Sequence, residues 1–152
     1  MRTISIILSI CILNFILISC GGSKSESSSA PPPTSMVAEE VNPLTNKGIG
    51  PIESVVLGPL DQAMAEEGKV LFEQLCTACH KPLKKFIGPA PAGILERRSA
   101  EWVMNMIMNP EEMTQKDPIA KQLLIDHNGA PMANQNVSEE EARKILEYFR
   151  TL

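Results

Sequence analysis

The pentapeptide Cys76-Thr77-Ala78-Cys79-His80 constrains the fold more than any other part of the sequence. Two thiols separated by two residues and followed at once by an imidazole form the attachment pattern of a covalent c-type haem. One helical turn can present both sulfurs to the haem vinyl groups, while the adjacent His80 turns its ring under the iron as the proximal ligand. We therefore expect a domain built around one haem c, bound through Cys76 and Cys79.

A Cys-x-x-Cys pair also occurs in zinc knuckles and in thioredoxin-like redox sites. Zinc would need a second pair of ligands, and the whole chain contains only four cysteines and two histidines. The two remaining cysteines, Cys11 and Cys20, belong to an N-terminal segment with an explanation of its own. The haem interpretation is therefore favoured, and no disulfide framework is expected.

The N-terminus predicts export. Residues 4–18 form an apolar run behind Arg2 that is short for a bilayer span and typical of a signal-peptide core. The run leads into Leu17-Ile18-Ser19-Cys20-Gly21, which resembles a bacterial lipoprotein box. This resemblance implies a signal peptide over residues 1–19, cleavage before Cys20 and a lipid on its sulfur, which anchors the protein to a membrane and faces it to the periplasm or cell exterior. An uncleaved anchor helix is the alternative.

The composition changes abruptly over residues 20–59. Residues 21–33 are rich in Ser, Pro and Gly and have almost nothing to bury, so we expect a disordered tether. Residues 49–60 are more apolar and are expected to pack on the domain as an extended arm. The remaining residues 60–152 suffice for one small domain. Since the chain has only six aromatic residues, the haem should supply much of its core.

The two ends of this domain predict helices that cross. One helix leads into the haem motif, and Gly68 within it would permit a close helix contact. The other follows a capping box at residues 138–141 and carries a single apolar stripe. We expect Gly68 and Phe72 to meet Tyr148 or Phe149 where the helices cross.

Two further helices are predicted between the terminal ones. Ser99 can cap a helix through Met108, and Asp117 begins another that runs to about Asp126. No alternation typical of a strand appears in the sequence. The fold class is therefore predicted to be all-α, with about four helices.

A helix running into the haem motif, Gly88-Pro89 after the histidine, a late methionine and a capped C-terminal helix together resemble the class I cytochrome c family. The resemblance covers residues 60–152 and implies helices that wrap one haem and leave one edge exposed. It also implies that the Pro89 carbonyl holds the second ring nitrogen of His80. By the same resemblance, Trp102 packs on the haem and its indole N–H bonds a propionate, with a plain core tryptophan as the alternative.

The sixth iron ligand decides between electron transfer and substrate binding, because a haem with both axial positions filled has no site for substrate. Met132 lies in a turn-rich segment before the last helix, where the class I family places its distal methionine. Here Ala133 follows the methionine, whereas the family usually has proline. His127 is the competing ligand, although an imidazole near a helix C-terminus also has a structural role through the helix dipole.

Four other methionines compete as thioether ligands. Met104 and Met108 would share one face of their helix and are expected to fill the core or pack on the haem. Met106 should point elsewhere on that helix, toward a surface or an interface. Met113 is the fourth competitor, and Met132 is preferred to it as the distal ligand.

Charge is distributed unevenly along a chain whose formal net charge is −4. Residues 76–98 carry five basic side chains against one acidic one, whereas residues 99–152 carry five against nine. The basic cluster could steer the haem edge toward an acidic partner surface, with a merely solvated surface as the alternative. Nucleic acid is not expected as a partner of an acidic exported domain. The cluster consists of Lys81, Lys84, Lys85, Arg97 and Arg98.

These residues predict a monomeric, monohaem electron carrier and not an enzyme. It would pass one electron at a time between a membrane donor and an extracytoplasmic respiratory enzyme. Residues 101–113 and 128–136 look like those of small lipoprotein cytochromes of anaerobic respiration, including cytochromes near nitrous oxide reductases, although an oxidase fits equally well. One alternative is a haem protein that binds ligands or acts like a peroxidase through an open sixth position. Another alternative is a structural or assembly lipoprotein in which the haem has no role of its own.

Overall fold

The structure is a computed structural model that describes residues 41–152. The predicted signal peptide, the lipidation site Cys20 and the Ser/Pro-rich part of the tether lie outside these residues. Over residues 41–152 the chain contains no strand, and five α-helices and one 3₁₀ turn follow in order. They are α1 (Gln62–Leu75), the 3₁₀ turn Ile94–Glu96, α2 (Ala100–Met108), α3 (Pro110–Lys116), α4 (Pro118–Asp126) and α5 (Glu139–Phe149).

Helices α1 and α5 cross at Gly68, as the sequence predicts. A Cβ atom added to Gly68 would overlap the backbone carbonyl of Lys144, so the two helix backbones approach too closely for any side chain. One turn further along, the Phe72 ring lies 5.5 Å from the ring of Tyr148 and 5.7 Å from that of Phe149, measured between centroids. These tilted and edge-on arrangements avoid the unfavourable face-to-face stacking of aromatic rings. The predicted crossing and the contact of Phe72 with Tyr148 and Phe149 are confirmed, whereas Gly68 meets the backbone of Lys144 instead of those aromatic residues.

The predicted caps begin their helices. Ser99 accepts a hydrogen bond from the Trp102 amide at 3.1 Å, and Asp117 accepts one from the Ala120 amide at 2.8 Å. Helix α3 was not predicted, which makes five helices where the sequence indicated about four. Pro110 occupies its first turn and two glutamates follow, both favourable at a helix N-terminus. Its seven residues carry too short a pattern to stand out in sequence.

Residues 46–55, called the arm below, lie along α2 without regular secondary structure and bend at residues 49–51. Ile52 is buried in the core beside α2 residues. The Asn105 side chain, itself 1% exposed, accepts from the Ile52 amide and donates to the Ile52 and Lys47 carbonyls, at 2.9, 3.0 and 2.9 Å respectively. The Val55 amide donates to Glu101 at 3.0 Å. The arm is therefore fixed by side chains of the helix that it covers.

The end of the connection from the arm to α1 is bonded to α5 through Glu147. This carboxylate is fully buried and accepts a hydrogen bond from the Asp61 amide at 2.8 Å. Arg143 and Arg150 both pair with it, so the buried charge is compensated. None of the helices among residues 41–152 is both long and apolar enough to cross a membrane.

Candidate haem site

The helices and their connecting loops enclose one large apolar cleft. It holds about 1010 Å³ of space, including the space at its open mouth, and few polar atoms face it. The residues of the haem motif, both candidate distal ligands and side chains of α1, α2, α4 and α5 share its wall. The lining residues used below are Cys76, Cys79, His80, Ile87, Gly88, Pro89, Trp102, Met106, His127 and Met132.

Both motif cysteines face this cleft from the end of α1. The Cys76 amide closes the last turn of α1 on the Phe72 carbonyl, and the amides of Cys79 and His80 both bond the Cys76 carbonyl, at 3.1 and 2.9 Å. This single turn brings two sulfurs and one imidazole to the same wall. Burial raises the pKa of the Cys76 thiol to about 11, so it is not the activated thiolate of a redox-active pair.

His80 is held with one ring nitrogen free. Its Nδ1 lies 2.8 Å from the Pro89 carbonyl oxygen. Because a carbonyl can only accept, Nδ1 carries the proton and Nε2 keeps the lone pair that an iron ligand needs. Gly88 packs so closely on the imidazole that a Cβ atom there would press into the ring. The Gly88 amide also bonds the Cys79 carbonyl at 2.8 Å, which fastens this loop to the motif.

The two candidate distal ligands lie close together in the chain, and both line the cleft. Met132 is half-buried in the segment between α4 and α5. His127 is buried, and its backbone amide closes α4 on the Leu123 carbonyl at 3.0 Å. Its Nδ1 donates to the Ile87 carbonyl at 2.8 Å. This second bond to the loop after the haem motif was not predicted.

Comparisons with known proteins agree with this geometry. The family model described as Cytochrome c matches residues 65–152. The chain belongs to the cytochrome c family. A cytochrome c from Rhodothermus marinus is 44% identical, with a TM-score of 0.65, and the match covers 67% of this chain and 88% of that one. An engineered variant from the same organism, Rma TDE, is 43% identical, with a TM-score of 0.64 over 67% and 89% of the two chains.

The same engineered variant bound to a carbene intermediate is 43% identical, with a TM-score of 0.62 over 67% and 88% of the two chains. No curated protein sequence matches the chain. The family and these structures establish that this is a class I cytochrome with an all-α fold. They also establish haem c as its cofactor, carried by Cys76 and Cys79, and electron transfer as the role typical of the family.

The residues present fit a haem. The cleft is large and apolar, and the His80 ring stands in a cradle that leaves no room for a side chain at Gly88. Arg98 supplies a charged donor beside it, since its guanidinium stacks over Trp102 with 5.3 Å between the guanidinium carbon and the ring centroid. Its Nε is buried and has no hydrogen-bond partner among the described residues. A haem propionate bound beside this cleft is an anion that would accept a hydrogen bond from such a donor.

Trp102 lines the cleft, and its N–H is bonded to another side chain of the protein. The indole Nε1 donates to Asp117 Oδ1 at 3.0 Å, and an indole has only this one donor. Asp117 is 2% exposed and also accepts from Asn46 Nδ2, at 2.5 Å. The expected bond to a propionate is therefore replaced by a bond to a buried carboxylate, because the end of α3 brings Asp117 beneath the indole.

The competing methionines of this cytochrome lie in different surroundings. Met104 is buried in the core, and the sulfur of Met113 accepts a hydrogen bond from the Ile49 amide at 2.9 Å. Met108 is partly buried against the core. Met106, which the sequence placed away from the haem, lines the cleft, so that prediction was wrong. The α2 residues that line the cleft are Trp102, Val103, Met106 and Ile107, which share one face of the helix.

Exposed apolar side chains lie between the lysines of the basic cluster in the chain. Leu83 is 74% exposed and Phe86 50%, and the Lys81 ammonium lies 5.1 Å from the Phe86 ring centroid. Lys84 and Lys85 are exposed beside them in the chain. Arg97 and Arg98 differ from the lysines: Arg97 donates to loop carbonyls, and Arg98 is half-buried over Trp102.

Proposed function

We propose that this cytochrome is a monohaem, one-electron carrier between a membrane donor and an extracytoplasmic respiratory enzyme, such as a nitrous oxide reductase or an oxidase. The observation that carries the proposal is that His80 and Met132 line the same apolar cleft as both haem-bearing cysteines. Iron held by an imidazole and a thioether has no open position for substrate. Such a site favours electron transfer over substrate conversion.

Each residue has a separate role in this proposal. Cys76 and Cys79 hold the cofactor covalently, and the haem supplies the one-electron couple. His80 is the proximal ligand, with its tautomer fixed by the Pro89 carbonyl at 2.8 Å. Met132 is the distal ligand. The apolar wall excludes water, which limits the reorganisation that accompanies a change of charge on the iron.

Optical spectra of the purified holoprotein test the ligand assignment. Wild type and Met132→Ala are compared oxidised and reduced, with carbon monoxide added to the reduced forms. We expect a methionine-to-iron charge-transfer band only in the wild type, and carbon monoxide binding that is rapid in the variant and slow in the wild type, where Met132 must first leave the iron. Met106→Ala is the matched control, because it removes a second thioether from the same cleft and should leave the band intact. Carbon monoxide binding as rapid in the wild type as in Met132→Ala, or an unchanged Met132→Ala spectrum, would contradict the assignment.

We further propose that the lysines and the exposed apolar side chains after the haem motif dock an acidic redox partner. An apolar centre with a basic rim supports a transient, electrostatically steered contact. Leu83 and Phe86 supply the centre, and Lys81, Lys84 and Lys85 the rim. Arg98 no longer belongs to the rim in this proposal, because its side chain is engaged with Trp102.

Charge reversal tests the docking proposal. Lys84→Glu with Lys85→Glu should slow electron transfer to an acidic partner about tenfold at low salt and much less at high salt. Lys121→Glu, an exposed lysine outside residues 76–98, is the control. Equal rates for the double variant and the wild type at low salt would exclude this surface.

We propose the periplasm or cell exterior as the location, with a lipid on Cys20 as the anchor. The supporting observations are the lipoprotein box in the sequence and the haem c domain that follows it. Cys20→Ser should release the cytochrome from the membrane fraction, whereas Cys11→Ser should leave it bound. Retention of Cys20→Ser on the membrane would favour an uncleaved anchor helix.

A ligand-binding function is the second candidate, and one observation favours it. An engineered cytochrome 43% identical to this chain has been solved bound to a carbene intermediate. A protein of similar fold can therefore hold a small bound group. The carbon monoxide experiment separates the two functions, since a wild type that binds the gas readily has an accessible sixth position.

A further inference from the structure

The loop of residues 86–89 supports both imidazoles of the cleft. The Pro89 carbonyl accepts from His80 Nδ1, and the Ile87 carbonyl accepts from His127 Nδ1, each at 2.8 Å. Between these two residues, the Gly88 amide bonds the Cys79 carbonyl at 2.8 Å. The loop is therefore joined to the haem motif on one side and to the end of α4 on the other.

The segment that carries Met132, residues 128–137, is bonded mainly to itself. Within the described part of the chain, the Asn136 amide bonds the Asn134 side chain and the Gln135 side chain bonds the Ala133 carbonyl. The first residues of the segment bond carbonyls at the end of α4. Asn128 and Asn136 have φ angles of 59° and 54°, a conformation that costs most residues energy. These local bonds shape the segment but do not hold it against the rest of the cleft.

His127 is placed to supply that attachment. It is the last residue before the segment, it is buried, and its carbonyl accepts from the Ala130 amide at 3.1 Å. Its ring donates across the cleft wall to Ile87. One other bond joins the same two regions, from Lys85 Nζ to the Asp126 carbonyl at 3.1 Å, and it is exposed. A buried bond in apolar surroundings is stronger than an exposed one, so the His127 bond should dominate.

We propose that His127 is a positioning residue that clasps the Met132 segment to the loop of His80 and so keeps the cleft closed over the distal position. This inference rests on the proposed function, in which Met132 is the distal ligand. His127 Nδ1 can donate this bond from either a neutral or a charged ring, so the clasp requires no change of protonation. Without it, the segment should swing away more often and admit small ligands.

Three variants of the holoprotein test the clasp. His127→Phe fills the volume but cannot donate, whereas His127→Asn keeps an N–H donor near the position of Nδ1. Lys85→Ala removes only the exposed bond. The readout is the rate at which carbon monoxide binds the reduced protein. We expect His127→Phe to bind about fivefold faster than wild type, the equivalent of about 1 kcal/mol, His127→Asn to recover most of the wild-type rate, and Lys85→Ala to change it less than about twofold.

A destabilised variant separates a clasp from a general structural role. Asn105→Ala should lower the melting temperature through the arm, yet leave the carbon monoxide rate unchanged at temperatures where the fold is intact. Equal rates for His127→Phe and wild type would overturn the inference, and so would a rate in His127→Asn as high as in His127→Phe.

The optical spectrum distinguishes failure of the clasp from failure of the proposed function. If wild type shows the methionine charge-transfer band and His127→Phe behaves like wild type, only the clasp is wrong. If wild type lacks the band and His127→Phe opens the sixth position, His127 is itself the ligand, and both the clasp and the assignment of Met132 are overturned.

Discussion

The arm and the Met132 segment are two non-helical stretches of equal length that are fixed in opposite ways. In the arm, backbone amides and carbonyls meet side chains that project from helices distant in sequence. Asn105 alone makes three such bonds, Asn109 donates to the Ile49 carbonyl at 3.3 Å, and Ser99 to the Asn46 carbonyl at 2.6 Å. In the described structure, residues 128–137 make only short-range hydrogen bonds.

The difference indicates what each stretch is for. The arm is ordered by the polypeptide itself and should open only with the domain, because its bonds are buried and long-range. The Met132 segment is anchored at its end by buried Val137, but it leaves the position of Met132 to be decided by two other contacts, the haem that we propose it meets and the His127 ring at its base. A segment of low intrinsic stability beside a cofactor is where ligand exchange is expected to occur.

The largest expected effect comes from breaking the arm at its anchor. Asn105→Ala leaves the Ile52 amide and two carbonyls without partners in the buried region, which should cost about 3 kcal/mol of unfolding free energy. Asn134→Ala makes the same substitution in the Met132 segment, where Asn134 is exposed, and should cost less than about 0.5 kcal/mol. Denaturant unfolding of both holoproteins measures the two values. Equal losses would mean that the two stretches are held alike.

A smaller loss is expected from Trp102→Phe, which tests the link between the arm and the cleft. The change removes a donor from the buried Asp117 carboxylate, to which Asn46 of the arm also donates. A hydrogen bond to a charged group is worth about 2 kcal/mol, so unfolding free energy should fall by that amount. The midpoint potential should stay near that of wild type, because the indole N–H bonds Asp117 instead of a propionate. A large shift in potential with little loss of stability would place the N–H on the haem.

Hydrogen exchange sharpens the comparison amide by amide. In the holoprotein, Met132→Ala should speed exchange across residues 128–137 by roughly fivefold, since about 1 kcal/mol of local order is lost with the ligand contact. The amides of Ile52 and Val55 in the arm should exchange as in wild type, because their acceptors are on α2. Faster exchange in both stretches would show that they open together.

The sequence predicted the parts of this fold that depend on local signals. The caps at Ser99, Asp117 and Ser138 begin helices where expected, and the crossing at Gly68 followed from a glycine among strong helix formers. The haem motif was identifiable because covalent haem attachment requires two cysteines and a histidine at the spacing of Cys76, Cys79 and His80. Helix α3 was missed because a short helix after another carries little periodicity of its own.

Tertiary partners were not predictable in the same way. The partner of the Trp102 indole depends on where the end of α3 places Asp117, and the sequence holds no signal that pairs these residues across fifteen positions. The bond from His127 to the Ile87 carbonyl spans forty positions and joins a side chain to a backbone atom, which leaves no residue type to recognise. Met106 was misplaced because the face of α2 that lines the cleft carries Trp102 and Met106, whereas the prediction turned the face of Met104 and Met108 toward the haem or core.

The smallest expected effect lies at the C-terminal end of the Met132 segment, where the capping box begins α5. The Ser138 amide and hydroxyl donate to Glu141 Oε2 at 2.9 and 2.8 Å, and these bonds lower the pKa of the Glu141 carboxyl. A carboxyl whose pKa is lowered by folding stabilises the folded state above its unfolded pKa, and this contribution is lost as the pH falls through the folded value. Between about pH 6 and about pH 3 the melting temperature of wild type should therefore fall slightly more than that of Glu141→Gln.

The glutamine keeps an oxygen for the Ser138 amide, so the variant separates the charge from the cap itself. Glu139→Gln removes a charge from the same helix end without touching the Ser138 bonds, and it should keep the wild-type response to acid. Identical acid responses in wild type and Glu141→Gln would mean that the charge adds nothing to this cap. The end of the Met132 segment would then be held by the neutral hydrogen bonds of the box alone.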